Sequence, residues 1–533
     1  MGIQVKGFVV NEVLNFKEVN SNLYLTAQKK FNQDWGGSIL AGNSVVDSKR
    51  PDSYYLRGEN WNAPFSHDIS SYQNQQKRFY SPNHFRIVSF FADAKLNFRE
   101  ILYLNATVRN DIVSTLPKAN NSFVYPSFNL GYVFSEHIAK NNFFTYGKLR
   151  ASWAQVGKGT DPYVTGSYFD ITDNFPYANT TPGYFRKLTA ADPNLRPERT
   201  TSIEVGTELR FFKNRLMVDA TYFTMDSRDQ IVRAPVSNVS GYSFYYTNIG
   251  LIRNKGVELL INAKPVQVKG FSWDVSVNWS KMAGKVIEMP KELQEISYYD
   301  NTVGSLKVKQ GSKVGDLWGY DYKRAPDGQL LINAVTGFPE TSTTLTQYGN
   351  AQPDWIGGLT NTFNYKGLAL SVLAEWRQGG DVIDLGERNA LRSGSIKLTE
   401  RRYEQVVFNG VVKQTDGSLI PNSKAVYLDD ALYNPSTSTR FNGWSKLNIQ
   451  DASWFRIRTV SLNYALPKKM LANSVFKGGV RFSLTGTNLF LSTPFRGYDP
   501  EALTFGSGTN LIGFVGRNNP STKSFQFGVN LNF

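Results

Sequence analysis

The sequence predicts an all-β protein, a transmembrane antiparallel up-and-down β-barrel with short periplasmic turns and long extracellular loops. Three observations predict it. Many segments of about ten residues alternate between apolar and polar side chains. Short and long connections between them take turns along the chain. The sequence also closes on an amphipathic strand that stops at Phe533.

The alternation is clearest in 271–280, where Phe271, Trp273, Val275, Val277 and Trp279 are separated by Ser272, Asp274, Ser276, Asn278 and Ser280. Successive side chains of a strand point to opposite faces, so this segment has one apolar and one polar face. Segment 201–211 sets Ile203, Val205, Leu209 and Phe211 against Glu204, Gly206, Glu208 and Arg210. Segments 367–377 and 479–490 follow suit. Fifteen such segments can be counted: 20–31, 35–44, 85–98, 101–111, 126–134, 147–157, 201–211, 216–226, 256–264, 271–281, 357–366, 367–377, 453–465, 479–490 and 523–533. Several exceed the roughly 5–6 residues usual for soluble strands. Length therefore favours a membrane.

Tight turns are expected at 98–100, 212–215 and 366–367, with somewhat longer links from Pro265 to Gly270 and from Pro467 to Gly478. Against them stand long polar, aromatic-rich stretches at 45–84, 158–200, 227–255, 378–452 and 491–522. If 491–522 is extracellular, counting backwards puts every tight turn on the periplasmic side. Parity then allows zero or two further strands within 282–356, and Gly315 to Tyr322 reads as a candidate.

Composition narrows the function classes. The chain has no cysteine and only three histidines, His67, His84 and His137, far apart in sequence. That removes thiolate chemistry and zinc–cysteine sites and offers no motif for a metal centre or catalytic triad. No catalytic, cofactor-binding or metal site is expected, and Asp429-Asp430 and the Asp499, Glu501 pair sit in loops without a local motif. The net charge of +15 comes from basic residues spread along the chain, which argues against nucleic acid as a partner. Aromatics make up 14% of a chain whose mean hydropathy is −0.35, as suits strands with one greasy and one wet face and aromatic girdles. No run of about 18 apolar residues is present, so a transmembrane helix is not expected.

Several stretches resemble one family. They are "YLNATVRNDIVSTLP" (103–117), "GKLRASWAQVGKGTDPY" (147–163), "LRPERTTSIEVGTELRFFKNRLMVDATYFTMDSRDQI" (195–231), "NIGLIRNKGVELLINAKPV" (248–266), "GNAQPDWIGGLTNTFNYKG" (349–367), "DASWFRIRTVSLNYALP" (451–467) and "RGYDPEA" (496–502). In this order they are similar to the SusC/RagA-type TonB-dependent outer-membrane transporters of Bacteroidota. Read physically, the blocks mark strand ends: Asn254-Lys255-Gly256 a turn or bulge, Pro197 the residues before a strand, and Gly357-Gly358 a hinge.

The resemblance implies import of oligosaccharides or peptides across the outer membrane. Its implied partners are a SusD-like lipoprotein, the TonB complex and outer-membrane lipids. It also implies a signal peptide, a plug and a barrel of about 22 strands. No export signal is visible after Met1, and no plug-like region precedes the strands. The expectation is thus a stub at 1–19 and a barrel portion at 20–533 without the plug, a fragment that alone would not transport. The final strand, with Phe525, Phe527, Val529, Leu531 and Phe533 on one face, resembles the assembly signal of such barrels. Tyr163, Tyr168, Tyr177, Tyr184, Trp318 and Trp444 are candidate loop contacts to substrate, since aromatic rings stack on sugar rings or side chains. Two other readings remain open: a plugless passive porin, and a surface glycan-binding all-β protein, for which no repeat of about 40–50 residues is found.

Overall fold

The computed structural model describes residues 8–61, 68–80, 83–138, 141–166, 168–172, 183–290, 293, 295–301, 303–428, 445–506 and 511–533. Its long strands are β1 (Lys17–Lys30), β2 (Trp35–Arg50), β3 (Asn83–Phe98), β4 (Leu102–Val113), β5 (Ser122–Tyr132), β6 (Phe144–Lys158), β7 (Glu198–Phe211) and β8 (Leu216–Pro235). They continue with β9 (Phe244–Val268), β10 (Phe271–Glu288), β11 (Trp355–Tyr365), β12 (Leu368–Gln378), β13 (Trp454–Ala465), β14 (Gly479–Ser492) and β15 (Ser524–Asn532). Each alternating segment of the sequence corresponds to one of them.

The chain divides into two compact units, and β6 to β9 run through both. In the first unit (1–132, 151–203 and 226–251) the strand order is β1 to β5, followed by parts of β6 to β9. In the second (133–150, 204–225 and 252–533) the other parts of β6 to β9 are followed by β10 to β15. Every strand thus pairs with its sequence neighbour, which is up-and-down topology. The registers are antiparallel, from Lys17↔Lys49 between β1 and β2 to Gly479↔Asn532 between β14 and β15.

The apolar face of these strands is open. Leu23, Leu25, Ile203, Val205, Phe482, Leu484, Phe525 and Phe527 are all exposed, an amount of greasy surface that water would not tolerate and lipid would. The polar faces instead spend their donors across strands. Asn105 Nδ2 donates to Asp93 Oδ2 at 2.8 Å, Thr107 and Ser127 share a bond of 2.6 Å, and Ser461 and Thr485 share one of 3.0 Å. Such cross-strand pairs fix the register.

Turn chemistry explains the short side. Arg99 and Glu100 have φ of 50° and 58°, and Lys366 and Gly367 have 45° and 93°, the left-handed pairs that match the twist of two-residue hairpins. The link at 265–270 is shorter than expected. β9 runs to Val268 and the turn is Lys269-Gly270, so Pro265 lies inside the strand near its end, beside the last bond to the preceding connection, Lys264 N–H to Arg215 O at 2.7 Å.

On the polar face of the second unit, Arg150 Nη1 and Nη2 donate to the two carboxylate oxygens of Asp219 at 2.7 and 2.5 Å. The guanidinium lies across β7 at Gly206, where an added Cβ would fall 2.6 Å from Arg150 Nε. Since both ends of Arg150 are held, a side chain there has no easy way to displace it. Gly206→Val is expected to destabilise the refolded chain by about 1–3 kcal/mol, read as a shift in its urea midpoint in detergent.

The expected candidate strand at Gly315–Tyr322 needs correction. β10 pairs directly with β11, from Phe271↔Tyr365 to Ser280↔Ile356, so no strand intervenes in the sheet between them. Asp316–Gly319 is a strand, but it belongs to a separate four-stranded sheet with Glu295–Asn301, Gly304–Lys309 and Thr346–Asn350. It is four residues long and largely buried on both faces, whereas a spanning strand is longer and open on one.

The stretches read as loops, and the stub at 1–19, also hold structure. In the first unit Phe8–Val13, Tyr54–Trp61 and Tyr72–Phe79 form a three-stranded sheet, and Phe169–Thr172 pairs with Gly183–Arg186. In the second unit Asp381–Asp384 pairs with Ile449–Asp451 and Phe514–Val515, and leads into helix α1 (Leu385–Ser393). Here lies a true core: Val303, Leu317, Ile383, Leu385 and Phe514 are 0% exposed.

Candidate functional site

In the first unit the strand ends that carry long connections surround a cavity of about 580 Å³. Arg50 ends β2, Asn83 begins β3, Arg233 lies near the end of β8 and Tyr246 near the start of β9. The β6–β7 connection supplies Tyr163, Tyr168 and Lys187. Its two tyrosines meet edge to face, ring centroids 6.1 Å apart, and are 45% and 42% exposed, so their rings stay available. Gly166 permits this: a Cβ there would stand 2.3 Å from Tyr168 Cζ. Thr189–Ala191, which pairs in parallel with Phe244–Tyr246, closes one side.

Of the six aromatic candidates, the structure therefore gathers Tyr163 and Tyr168. Tyr184 is exposed opposite Ile171 in the 169–172/183–186 pair and does not line the cavity. Trp318 belongs to the second unit, partly buried in the four-stranded sheet under the Lys309 ammonium at 4.3 Å. Tyr177 and Trp444 lie outside the described residues, as do His67 and Asp429-Asp430. On β15, Phe525, Phe527, Val529 and Leu531 project from one open face, and Phe533, just past the strand, is also exposed. His84 Nε2 lies 3.0 Å from Asp47 Oδ1 and His137 sits in a short 3-10 turn.

The second unit contains a polar node of which the sequence reading named only Asp499 and Glu501, as loop acids without a motif. Arg456 Nη2, on β13, donates to Asp499 Oδ1 at 2.8 Å, with the two side chains 3% and 2% exposed. Asp499 also accepts from the backbone N–H groups of Glu501 and Ser521. Arg456 Nε lies 3.0 Å from Glu501 Oε2 without hydrogen-bond geometry, so that contact is ionic only. Arg458 bridges Glu375 at 2.6 Å and Glu501 at 2.9 Å. Arg496 donates to Glu387 in the first turn of α1 at 3.0 Å, and its own N–H donates to Gln450. Asn350 Nδ2 donates to Asp316 while its N–H donates to Asp381. The blocks around 456 and 499 are thus tied to each other, and the block around 350 is tied to the connections at 316 and 381.

The buried carboxylates divide electrostatically. Burial pushes Asp316, Asp381 and Asp384 above the usual carboxylate range, in spite of hydrogen bonds from Asn350, from the Asn350 N–H, and from the Glu387 and Gly386 N–H groups respectively. Burial acts on Asp499 too, but the Glu501 and Ser521 N–H groups and the Arg456 charge outweigh it and hold it low. A carboxyl raised by folding binds more protons folded than unfolded. Its stabilising contribution is complete below its ordinary value and lost as pH rises through the folded one. Segment 381–387 is accordingly expected to gain amide-exchange protection, corrected for intrinsic rates, from about pH 7 to about pH 4. Asp499 withdraws its own contribution only at more acid pH, as pH falls below the ordinary carboxylate value toward its folded one.

This arrangement defines a class: an antiparallel membrane-type sheet with structured, aromatic-bearing long connections. Residues 10–463 match the TonB dependent receptor-like β-barrel family, and the chain belongs to that family, whose members are outer-membrane proteins. The chain is 26% identical over 488 residues to TonB-dependent receptor P3 of Formosa agariphila, covering 85% of this chain and 46% of that protein. It is 23% identical over 503 residues to TonB-dependent receptor SusC of Bacteroides thetaiotaomicron, covering 90% and 47%. The solved structure of the RagAB peptide transporter shares its fold at a TM-score of 0.73 and 18% identity, over 97% of this chain and 56% of that one. The SusC/RagA-type resemblance is borne out. The chain spans about half the length of the curated relatives it matches.

Proposed function

We propose that this chain is the barrel part of an energy-coupled outer-membrane importer of oligosaccharides or peptides, working with a SusD-like lipoprotein and the TonB complex. The observation that carries the reading is the sheet itself. In each unit strands in up-and-down order expose an apolar face and are joined by tight turns and by long, folded connections. The family membership, the similarity to SusC and the fold shared with a peptide transporter support this reading. The protein's part is binding and passage, not chemistry. Long connections capture substrate outside, and energy delivered through a plug opens the lumen.

The test uses the gene product in its native membrane. A tagged copy, solubilised gently, is expected to bring down a lipidated partner, and uptake of labelled oligosaccharide or peptide is expected to stop when the TonB complex is disabled. Uptake that continues without it, together with a large steady conductance in planar bilayers, would replace this reading with that of a passive channel.

A further inference from the structure

The cavity of the first unit has a one-sided charge pattern. Elsewhere many arginines sit against carboxylates, as in Arg109–Asp111, Arg150–Asp219 and Arg456–Asp499, while others, such as Arg324 and Arg377, donate to backbone carbonyls. Arg50, Lys187 and Arg233 line the cavity, and no carboxylate does among the described residues. Nor does any of the three form an ion pair among the described residues. Their neighbours are rings: the Arg50 guanidinium lies 5.3 Å from the centroid of Tyr80, Lys187 Nζ 6.0 Å from Tyr168, and the Arg233 guanidinium 3.6 Å from Phe244. A ring attracts a cation but leaves its charge uncancelled. Arg50 Nε is moreover buried without a hydrogen-bond partner, donor capacity the protein itself leaves unused.

A second observation concerns Tyr163. Its φ is 62°, the left-handed region, which is unfavourable for a bulky side chain and persists only where the surroundings impose it. In this conformation the ring meets Tyr168 at the cavity wall. The wall thus offers two exposed tyrosine rings beside three cations that form no ion pair among the described residues.

We propose that this cavity binds an acidic oligosaccharide, its sugar faces stacking on Tyr163 and Tyr168 and its carboxylate or sulfate groups meeting Arg50, Lys187 and Arg233. This rests on the importer reading, which turns the long-connection ends outward. A peptide fits the cavity less well. Peptide recognition leans on free strand edges and side-chain pockets. Here the aliphatic lining is limited to Pro162 and Val164, which leaves few pockets for the apolar side chains of a peptide.

The full chain, refolded in detergent, is titrated calorimetrically with oligogalacturonate, a sulfated oligogalactan, a neutral maltooligosaccharide of equal length, and an oligoglutamate peptide. One or both acidic glycans are expected to bind, the preference between them naming the anionic group, with affinity falling as salt rises. Arg233→Gln and Lys187→Gln are each expected to weaken binding about tenfold, the equivalent of one lost charge contact. Tyr163→Gly relieves the left-handed backbone, so it is expected to keep the melting temperature and still weaken binding. Equal binding of the neutral glycan, tighter binding of oligoglutamate, or no binding by folded chain would each overturn the proposal. Insertion into lipid vesicles is measured on the same samples. Chain that inserts without acid preference loses the ligand class alone. Chain that binds acidic glycan but stays soluble without detergent keeps the cavity and loses the membrane reading.

Discussion

Arg456→Ala is expected to destabilise the loop assembly of the second unit by about 3–5 kcal/mol. The side chain and its partner Asp499 are almost wholly buried, so removing the cation leaves a carboxylate without a counter-charge and without water. The two backbone donors on Asp499 hold it in the charged form, which makes the orphaned charge harder to neutralise. Glu501 loses one of its two arginines in the same step. The readout is the onset of proteolysis in the 493–523 connection during a urea series. Pairing the change with Asp499→Asn is expected to recover part of the loss, because the stranded charge goes with it. A loss below about 1 kcal/mol would mean that the pair behaves as a surface ion pair.

Phe514→Ala should cost about as much, some 3–5 kcal/mol, by a different route. Phe514 is fully buried, packs against Tyr299 at 4.5 Å and Phe505 at 5.6 Å, and its strand pairs with Ile383 and Asp384. Truncation opens a cavity whose walls come from three different connections, and such walls cannot easily close on it. Hydrogen exchange is expected to show lost protection in 304–309 and 381–391 while β11 to β14 keep theirs. Phe514→Leu, which fills most of the volume, should lose far less. Equal effects of the two substitutions would mean that the site is not packed as a core.

The strands were legible because their code is local. Ile203, Val205 and Leu209 announce a face within seven residues, whatever lies elsewhere in the chain. The core of the second unit has no such signature. Val303 stands alone, Ile383 and Phe514 sit in short apolar runs at 382–385 and 511–515, and nothing in their spacing says that they meet. Asp316–Gly319 misled for the same reason, since a strand buried on both faces loses the alternation that marks its setting. Arg456 and Asp499 stood inside conspicuous blocks, yet 43 residues separate them, and a pairing at that range leaves no trace in one sequence. Tyr163 and Tyr168 come together because they are five residues apart around Gly166, while Tyr184 and Trp318 are placed by sheets of their own.

The shared core of the second unit also bears on how such proteins can be recombined. Its apolar residues arrive from the β10–β11, β12–β13 and β14–β15 connections, and each brings a part that is useless without the others. A chimera that exchanges one of these loops alone inherits a mismatched interior and an exposed remnant. The fold there travels as a cassette. A viable crossover takes everything from the end of β10 to the start of β15 as one inheritance, leaving the tight turns on the opposite side as the free joints.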